Sequence, residues 1–306
     1  MVSTLTPSGV QTPPTAERAR KKRKSPYPLY FYALPALLFL VLFAIPTFAS
    51  FYFSLTRWTL FSTQFIGLAN FKQFFSEPNL FSGLTHTFIY AVLTSGIKVV
   101  LGILLGVLLT SNVVGRGYLR SVIFFPVLVS TIGVGLTFKI LLDPFNGLVN
   151  KSLATIGITG PGWLTDPDLA LYSIIGVDVW KGVGIATLIF IAGMVAIPSE
   201  YYEAAKVDGS SGLQMFLHIT LPLLKPATTT VILLSLIGGL RSFDLIWAMT
   251  KGGPGFTSDV IASVIYKQYQ AGFYGLSTAG NVVLFLLVAL IIVPLQFFFN
   301  RQGGTK

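Results

Sequence analysis

Two pairs of oppositely charged residues interrupt apolar segments of the sequence. Asp178 and Lys181 lie three residues apart, as do Arg241 and Asp244. A charge at membrane depth costs about 2.5–3.5 kcal/mol on the insertion scale, and residues three apart share a helix face and can neutralise each other. Each pair therefore has two interpretations: a buried ion pair that orients helices, or part of the polar wall of a translocation cavity.

Aromatic side chains stand beside these charges. Binding sites for polar solutes combine aromatic faces with charged or amide groups, whereas a single aromatic residue in an apolar helix more often packs against lipid or the core. The charged and aromatic residues together form our candidate substrate path: Asp178, Trp180, Lys181, Arg241, Phe243, Asp244 and Trp247.

Common catalytic patterns are absent from the sequence. No Gly-Lys pair occurs, so there is no P-loop to bind ATP. His86 and His218 are the only histidines and form no H-E-x-x-H, and no G-x-S-x-G is present. The absence of Cys excludes disulfides, thiolate metal sites and thiol nucleophiles. We predict no catalytic residue, no metal site and no cofactor bound by this chain.

The composition is typical of a protein with several membrane spans. The 306 residues are 53% hydrophobic and 10% charged, with a mean hydropathy of +0.75, more than a soluble core can bury. Helices satisfy the backbone in lipid, and the apolar runs do not alternate as barrel strands do. We therefore predict an all-α integral membrane protein. Its six transmembrane helices are expected at about residues 29–53, 87–110, 119–142, 169–196, 223–248 and 276–299.

The distribution of Lys and Arg predicts the orientation. With the N-terminus inside, the inner segments hold twelve basic residues and the outer segments five, which favours both termini in the cytoplasm. Residues 1–28 are basic and rich in Pro, Ser and Thr, and are predicted to form a disordered tail that contacts anionic lipid. Residues 29–300 form the transmembrane domain, and 301–306 a C-terminal tail.

A polar loop, 197–225, separates the fourth and fifth predicted spans on the cytoplasmic side. Ser199 is expected to cap a short helix at about 200–207, Gly209 to close it in a left-handed conformation, and Ser211 and Gln214 to form a capping box for a second helix. This helix-turn-helix fits either an amphipathic segment on the membrane surface or a knob that enters a cleft of another protein.

The loop sequence resembles the EAA loop of binding-protein-dependent ABC importer permeases. That pattern is Glu-Ala-Ala, three residues, Gly, nine residues and Ile-x-Leu-Pro. The sequence matches it at Glu203, Ala204, Ala205, Gly209, Ile219, Leu221 and Pro222. In this family the loop is the coupling helix that docks into a groove of a cytoplasmic ATPase, so the resemblance implies that role for these residues and the adjoining Asp208.

Other segments resemble the maltose and multiple-sugar permeases, on the side of the heterodimer related to the larger maltose permease subunit. They are FIGLANF (65–71), RSVIFFP (120–126), WLTDPDLAL (163–171), VDVWKGVG (177–184) and TKGGPGFTSD (250–259). Ser210 and Met249 depart from the usual Ala and Leu. The resemblance implies a sugar permease in a bacterial or archaeal cytoplasmic membrane. Its implied partners are a second permease, two ATPase subunits that bind ATP and Mg, and an extracytoplasmic solute-binding protein, with no nucleic acid.

The sequence leaves several alternative functions open. Import of glycerol-3-phosphate or another polyol derivative would use the same mechanism. An ATP-independent secondary transporter would be marked by inverted repeats and would need no docking helix, and an intramembrane enzyme would need a reactive group in a span. Lys98, within a predicted span, is expected to reach a cavity or a neighbouring carboxylate. Gly102 and Gly106 on the same helix form a G-x-x-x-G face for close helix packing.

Overall fold

The computed structural model describes residues 28–59 and 61–303, and most of them are helical. The first half contains α1 (Leu29–Phe39), α2 (Ile45–Ser54), α3 (Ala69–Ser76), α4 (Pro78–Thr110), α5 (Arg116–Leu128), α6 (Thr131–Leu141) and α7 (Leu148–Thr155). The second half contains α8 (Ala170–Val195), α9 (Ser199–Val207), α10 (Gly212–Met215), α11 (Leu221–Leu223), α12 (Lys225–Leu240), α13 (Asp244–Met249), α14 (Ile261–Gln270) and α15 (Tyr274–Gly303).

Short non-α elements join some of these helices. The π-helical segments Leu40–Ala44 and Phe216–Thr220 join α1 to α2 and α10 to α11. Strands β1 (Thr56–Trp58) and β2 (Thr63–Phe65) pair antiparallel, with Arg57 opposite Gln64. The predicted tails fall mostly on residues 1–27 and 304–306, which lie outside the described residues. Residues 301–303 are the end of α15 and not part of a tail.

Four described helices are long and apolar enough to cross a membrane. They are Tyr30–Ser54, Pro78–Thr110, Ala170–Val195 and Tyr274–Phe299. Counting each of two bent helix pairs as one span gives up to six. The chain is therefore a mostly helical membrane protein, as predicted. The second span is a longer helix than expected, since α4 begins at Pro78 and not near residue 87.

The prediction of single helices at 119–142 and 223–248 is wrong. α5 and α6 are bent by 100° at residues 129–130, just after Pro126, whose missing N–H weakens the helix. α12 stops at Leu240, and α13 begins only at Asp244. The segment Gly212–Leu223, which precedes α12, meets it at 64°. Two predicted spans are thus broken.

Small residues let the helices of the bundle pack closely. A Cβ atom added at Gly102 would lie 3.0 Å from Ala186 Cβ, and one at Gly106 would lie 3.2 Å from the Cβ of the fully buried Phe190. The predicted glycine face of α4 therefore packs against α8. The segments beyond the two breaks also touch, because a Cβ at Gly135 in α6 would lie 2.6 Å from Ala248 Cβ in α13.

Candidate functional site

The loop after α8 folds as the predicted helix-turn-helix. α9 is closed by Gly209, whose φ is +76°. Ser211 and Gln214 form the predicted capping box, with Gln214 Oε1 accepting from the Ser211 N–H at 2.7 Å and Ser211 Oγ accepting from the Gln214 N–H at 3.3 Å. The prediction that Ser199 caps α9 is wrong, since Ser199 is the first helical residue and follows Pro198. The chain enters α9 without a side-chain cap.

The helix-turn-helix presents much of its surface to the outside. None of the residues of α9 is buried. Glu203, Ala204 and Asp208 are exposed, and Ala205 is half-buried. Apolar side chains add to this surface, because Val207 is 89% exposed and Leu213 68%. An exposed surface that mixes small, apolar and charged side chains can bind a protein partner. The coupling role of these residues stays a prediction, as does that of half-buried Ile219 and exposed Leu221 and Pro222.

The charged residue that pairs with Asp178 is Lys98 of α4, and not Lys181. Lys98 Nζ lies 2.6 Å from Asp178 Oδ2, and the two side chains are only 11% and 22% exposed. Gly182 makes room for this contact, since a Cβ there would lie 2.7 Å from Lys98 Cε. Lys98 thus reaches a neighbouring carboxylate, one of its two expected environments. The long Lys side chain reaches across the gap between α4 and α8, so the pair joins two helices.

The second predicted pair, Arg241 with Asp244, is also wrong. The ion pairs within residues 28–59 and 61–303 are Lys98–Asp178 and Lys267–Asp259. Arg241 follows the last residue of α12 and Asp244 opens α13, so the helix that would align them is interrupted. Both residues are exposed. They place two opposite charges at the break in the fifth predicted span.

Tyr90 is a polar residue of this region that sequence reasoning missed. Its side chain is fully buried, and its hydroxyl lies near Asp178 and Ser242 without completing a hydrogen bond in the part of the chain that the structure describes. A buried hydroxyl without a partner is unusual. The only sequence signal was a Tyr on the same predicted span as Lys98. The polar cluster, defined as Tyr90, Lys98, Asp178 and Ser242, therefore joins α4 and α8 to the break after α12.

The predicted aromatic residues separate into two groups. Phe243 and Trp247 stack with ring centroids 5.6 Å apart, and Tyr266 of α14 lies 5.2 and 4.8 Å from them. Trp180 instead contacts Phe138 of α6, at 5.1 Å. It lines a mainly apolar cavity of about 420 Å³, together with Trp163 and Tyr172 among others. Sequence reasoning missed Tyr266, which is the member of the first group that α14 contributes.

A buried carboxylate organises the loop between α13 and α14. Asp259 is fully buried, and its oxygens accept hydrogen bonds from Ser263 Oγ at 2.7 Å and Lys267 Nζ at 2.5 Å. The His86 ring lies 2.9 Å from the Asp259 carbonyl oxygen. Burial raises the pKa of the Asp259 carboxyl above its ordinary value of 3.8, and the hydrogen bond from Lys267 opposes this rise.

The raised pKa of Asp259 predicts a specific pH dependence. Because the folded pKa exceeds the unfolded value, the folded state binds more protons just above pH 3.8, and the free energy of unfolding falls as pH rises through that interval. We expect wild type to lose stability relative to Asp259→Asn as pH rises above the ordinary carboxyl pKa of 3.8 and through the raised pKa of Asp259. Thermal unfolding of the two proteins in detergent measures this difference in stability. The same measurement in a His86→Asn background shows whether His86 contributes to the pH dependence. If wild type instead gained stability relative to Asp259→Asn as pH rises, the raised pKa of Asp259 would be contradicted.

The described residues also bear on metal binding. Among residues 28–59 and 61–303, no group of three or more His, Cys, Asp or Glu side chains is placed to hold a metal ion.

Comparisons with known proteins agree with this architecture. The probable ABC transporter permease protein YurN of Bacillus subtilis (strain 168) is 34% identical over 88% of this chain and 95% of its own length. The trehalose/maltose transport system permease protein MalF of Thermococcus litoralis is 34% identical over 85% of this chain and 89% of its own length.

The fold has a solved counterpart. A chain from the crystal structure of a bacterial ABC transporter involved in the import of the acidic polysaccharide alginate aligns with a TM-score of 0.80 at 24% identity, covering 91% of this chain and 96% of that chain. The family described as "binding-protein-dependent transport system inner membrane component" matches residues 98–302, more than half of the chain. This chain therefore belongs to the inner membrane components of binding-protein-dependent transport systems, the permease subunits of ABC importers.

Proposed function

We propose that this permease imports a carbohydrate, as one of two permease subunits in a complex with two ATPase subunits and an extracytoplasmic solute-binding protein. The observation that carries the proposal is the exposed helix-turn-helix around Gly209, which holds the Glu-Ala-Ala pattern on an unburied helix. The name of the Thermococcus litoralis relative indicates trehalose and maltose transport for that protein. ATP and Mg²⁺ are bound by the ATPase subunits in this proposal, since this sequence has no P-loop.

The proposed topology has six spans, with both termini in the cytoplasm of a bacterium or archaeon. It counts α5 with α6 as one span and α12 with α13 as another, which with the four long helices gives six, and it follows the excess of basic residues on the inner side. The helix-turn-helix then faces the cytoplasm. The Asp259 loop faces the solute-binding protein.

The proposed mechanism is alternating access. Closure of the ATPase subunits on ATP moves α9, and the chain switches which side of its half of the path is open. ATP and substrate must each bind the inward and outward states with different affinity. The break at residues 241–243 supports a path at this position, because non-helical backbone at membrane depth is tolerated where it is buried in protein or lines a water-filled cavity.

The side chains of this region suit a sugar, and glycerol-3-phosphate is the runner-up substrate. Lys98 is neutralised by Asp178, and the exposed Arg241 is followed by the exposed Asp244. These four charges sum to zero, and the half-buried Lys181 adds one positive charge that forms no ion pair among the described residues. The half-buried Ser242 hydroxyl and the Phe243, Trp247 and Tyr266 rings supply hydrogen bonding and stacking surfaces that suit a carbohydrate. A glycerol-3-phosphate site would need unpaired positive charge, and Lys181 is the residue of this region that would supply it.

Purification of the chain from its own membrane with a mild detergent tests this function. We expect a second permease and an ATPase to purify with it, and the reconstituted complex, with its solute-binding protein, to import a sugar only when ATP is present. Glycerol-3-phosphate serves as the competing substrate. Uptake by the chain alone, without ATP, would instead establish a secondary transporter.

A further inference from the structure

The helix α9 is attached to the rest of the chain by few polar contacts. Within residues 28–59 and 61–303, no ion pair involves α9. In the part of the chain that the structure describes, the one side-chain hydrogen bond that joins α9 to a later segment is shared by the Tyr202 hydroxyl and Thr220 Oγ1, at 2.9 Å. None of the residues of α9 is buried, although Tyr202 is half-buried. This bond is therefore the specific polar connection of α9.

Thr220 lies where this connection enters the bundle. It is 7% exposed and ends the π-helical segment Phe216–Thr220. Irregular π segments often occur at functional positions. Four residues later, Leu224 is fully buried in a cluster with Phe190 of α8 and Val231 of α12. Thr220 is thus close in sequence to Leu224, which is packed between α8 and α12.

The packing around Leu224 is tight enough to transmit a displacement. A Cβ added at Gly193 of α8 would lie 2.9 Å from Leu224 Cδ2 and 2.9 Å from Ala227 Cβ. Close-packed interiors shift as units because they hold few voids. The contacts therefore form one continuous series, from Tyr202 through Thr220 and Leu224 to α8 and α12.

We propose that Tyr202 is a positioning residue that fixes the angle of the coupling helix α9 against α12, and that the Tyr202–Thr220 hydrogen bond transmits the movement of α9 to the spans. The proposal rests on the proposed function, because it assigns a task to α9 within an ATPase-driven complex. A hydrogen bond suits this task because it is directional. Without it, α9 would still bind the ATPase but would rotate against Phe216–Thr220.

The absence of Cys makes a direct test practical. Spin labels at Lys206→Cys on α9 and Leu234→Cys on α12 report the distance between the two helices in the purified complex. In wild type we expect a narrow distance distribution that shifts when MgATP is trapped with vanadate. Tyr202→Phe removes the hydroxyl but keeps the ring, and is expected to broaden the distribution and to reduce binding-protein-stimulated MgATP hydrolysis roughly two- to tenfold.

Matched variants separate the hydrogen bond from other effects. Thr220→Val should reproduce the Tyr202→Phe result, the double variant should be no worse than either one, and Thr220→Ser should behave as wild type. Tyr201→Phe is the control, because Tyr201 is 54% exposed on the same helix.

Three results would overturn the proposal. They are a narrow distribution in Tyr202→Phe, additive effects in the double variant, and loss of the ATPase from the Tyr202→Phe complex, which would make Tyr202 a docking residue. If the ATPase is missing from the wild-type preparation, the proposed function itself fails.

Discussion

Lys98→Met is expected to destabilise the protein by about 3–5 kcal/mol, because it removes one partner of a largely buried ion pair. Lys98 Nζ and Asp178 Oδ2 are 2.6 Å apart, and the Asp178 side chain is only 22% exposed, so its charge would lose its nearest compensation. We expect a lower midpoint of thermal unfolding in detergent, and less protein in the membrane. Lys181→Met serves as the control, since Lys181 is half-buried and forms no ion pair among the described residues.

A double variant separates the two interpretations of this pair. Apolar replacements of a buried ion pair are often neutral or stabilising, so Lys98→Met with Asp178→Leu should regain most of the lost stability. Import should be lost in this double variant, because the polar cluster would then lack both of its charges. Recovery of import would show that the pair only orients α4 and α8. A single Lys98→Met variant as stable as Lys181→Met would contradict the energetic argument.

Gly209→Val is expected to reduce binding-protein-stimulated ATP hydrolysis by roughly 5- to 30-fold while leaving membrane insertion intact. Gly209 has a φ of +76°, a conformation that costs an L-residue about 1–2 kcal/mol and is a marked outlier for a β-branched one, and a cost of that size changes a population by that factor. The strain is released by reorienting α9 against α10, which displaces the Glu-Ala-Ala segment. ATP hydrolysis by the reconstituted complex measures the effect.

Gly212→Val is the matched control for this variant. A Cβ at either Gly209 or Gly212 would meet nothing within 4 Å, so neither substitution creates a clash. Of these two glycines, Gly209 has a positive φ and Gly212 does not. Equal loss of ATP hydrolysis in both variants would mean that the added side chain blocks the ATPase surface, and that the left-handed turn is not the cause.

The features that could be predicted are those that depend on neighbouring residues. Long apolar runs indicated membrane helices, because every backbone group in lipid must be satisfied within its own segment. The left-handed Gly209 and the Ser211–Gln214 capping box were likewise readable, since turn and cap geometry is set by residues three or four apart. The Glu-Ala-Ala pattern then identified the family.

The features that could not be predicted depend on distant contacts. Charge spacing favoured Lys181 as the partner of Asp178, yet the structure selects Lys98, eighty positions earlier in the chain. A local rule cannot detect a side chain that reaches across from another helix. The breaks after Leu128 and Leu240 were missed because both predicted spans are largely apolar on either side of the break. Pro126 was a signal for the first, and Arg241 with Ser242 a signal for the second.

The contact between Gly135 and Ala248 links the evolutionary freedom of two distant positions. Because a methyl group at 135 would lie 2.6 Å from the methyl of Ala248, either side of the contact can grow only if the other shrinks. Gly135→Ala alone should be selected against, whereas Gly135→Ala with Ala248→Gly keeps the total volume constant. Among descendants of this sequence, the two positions are therefore expected to exchange their small residues together. The residues that are tolerated at one position then depend on the residue at the other.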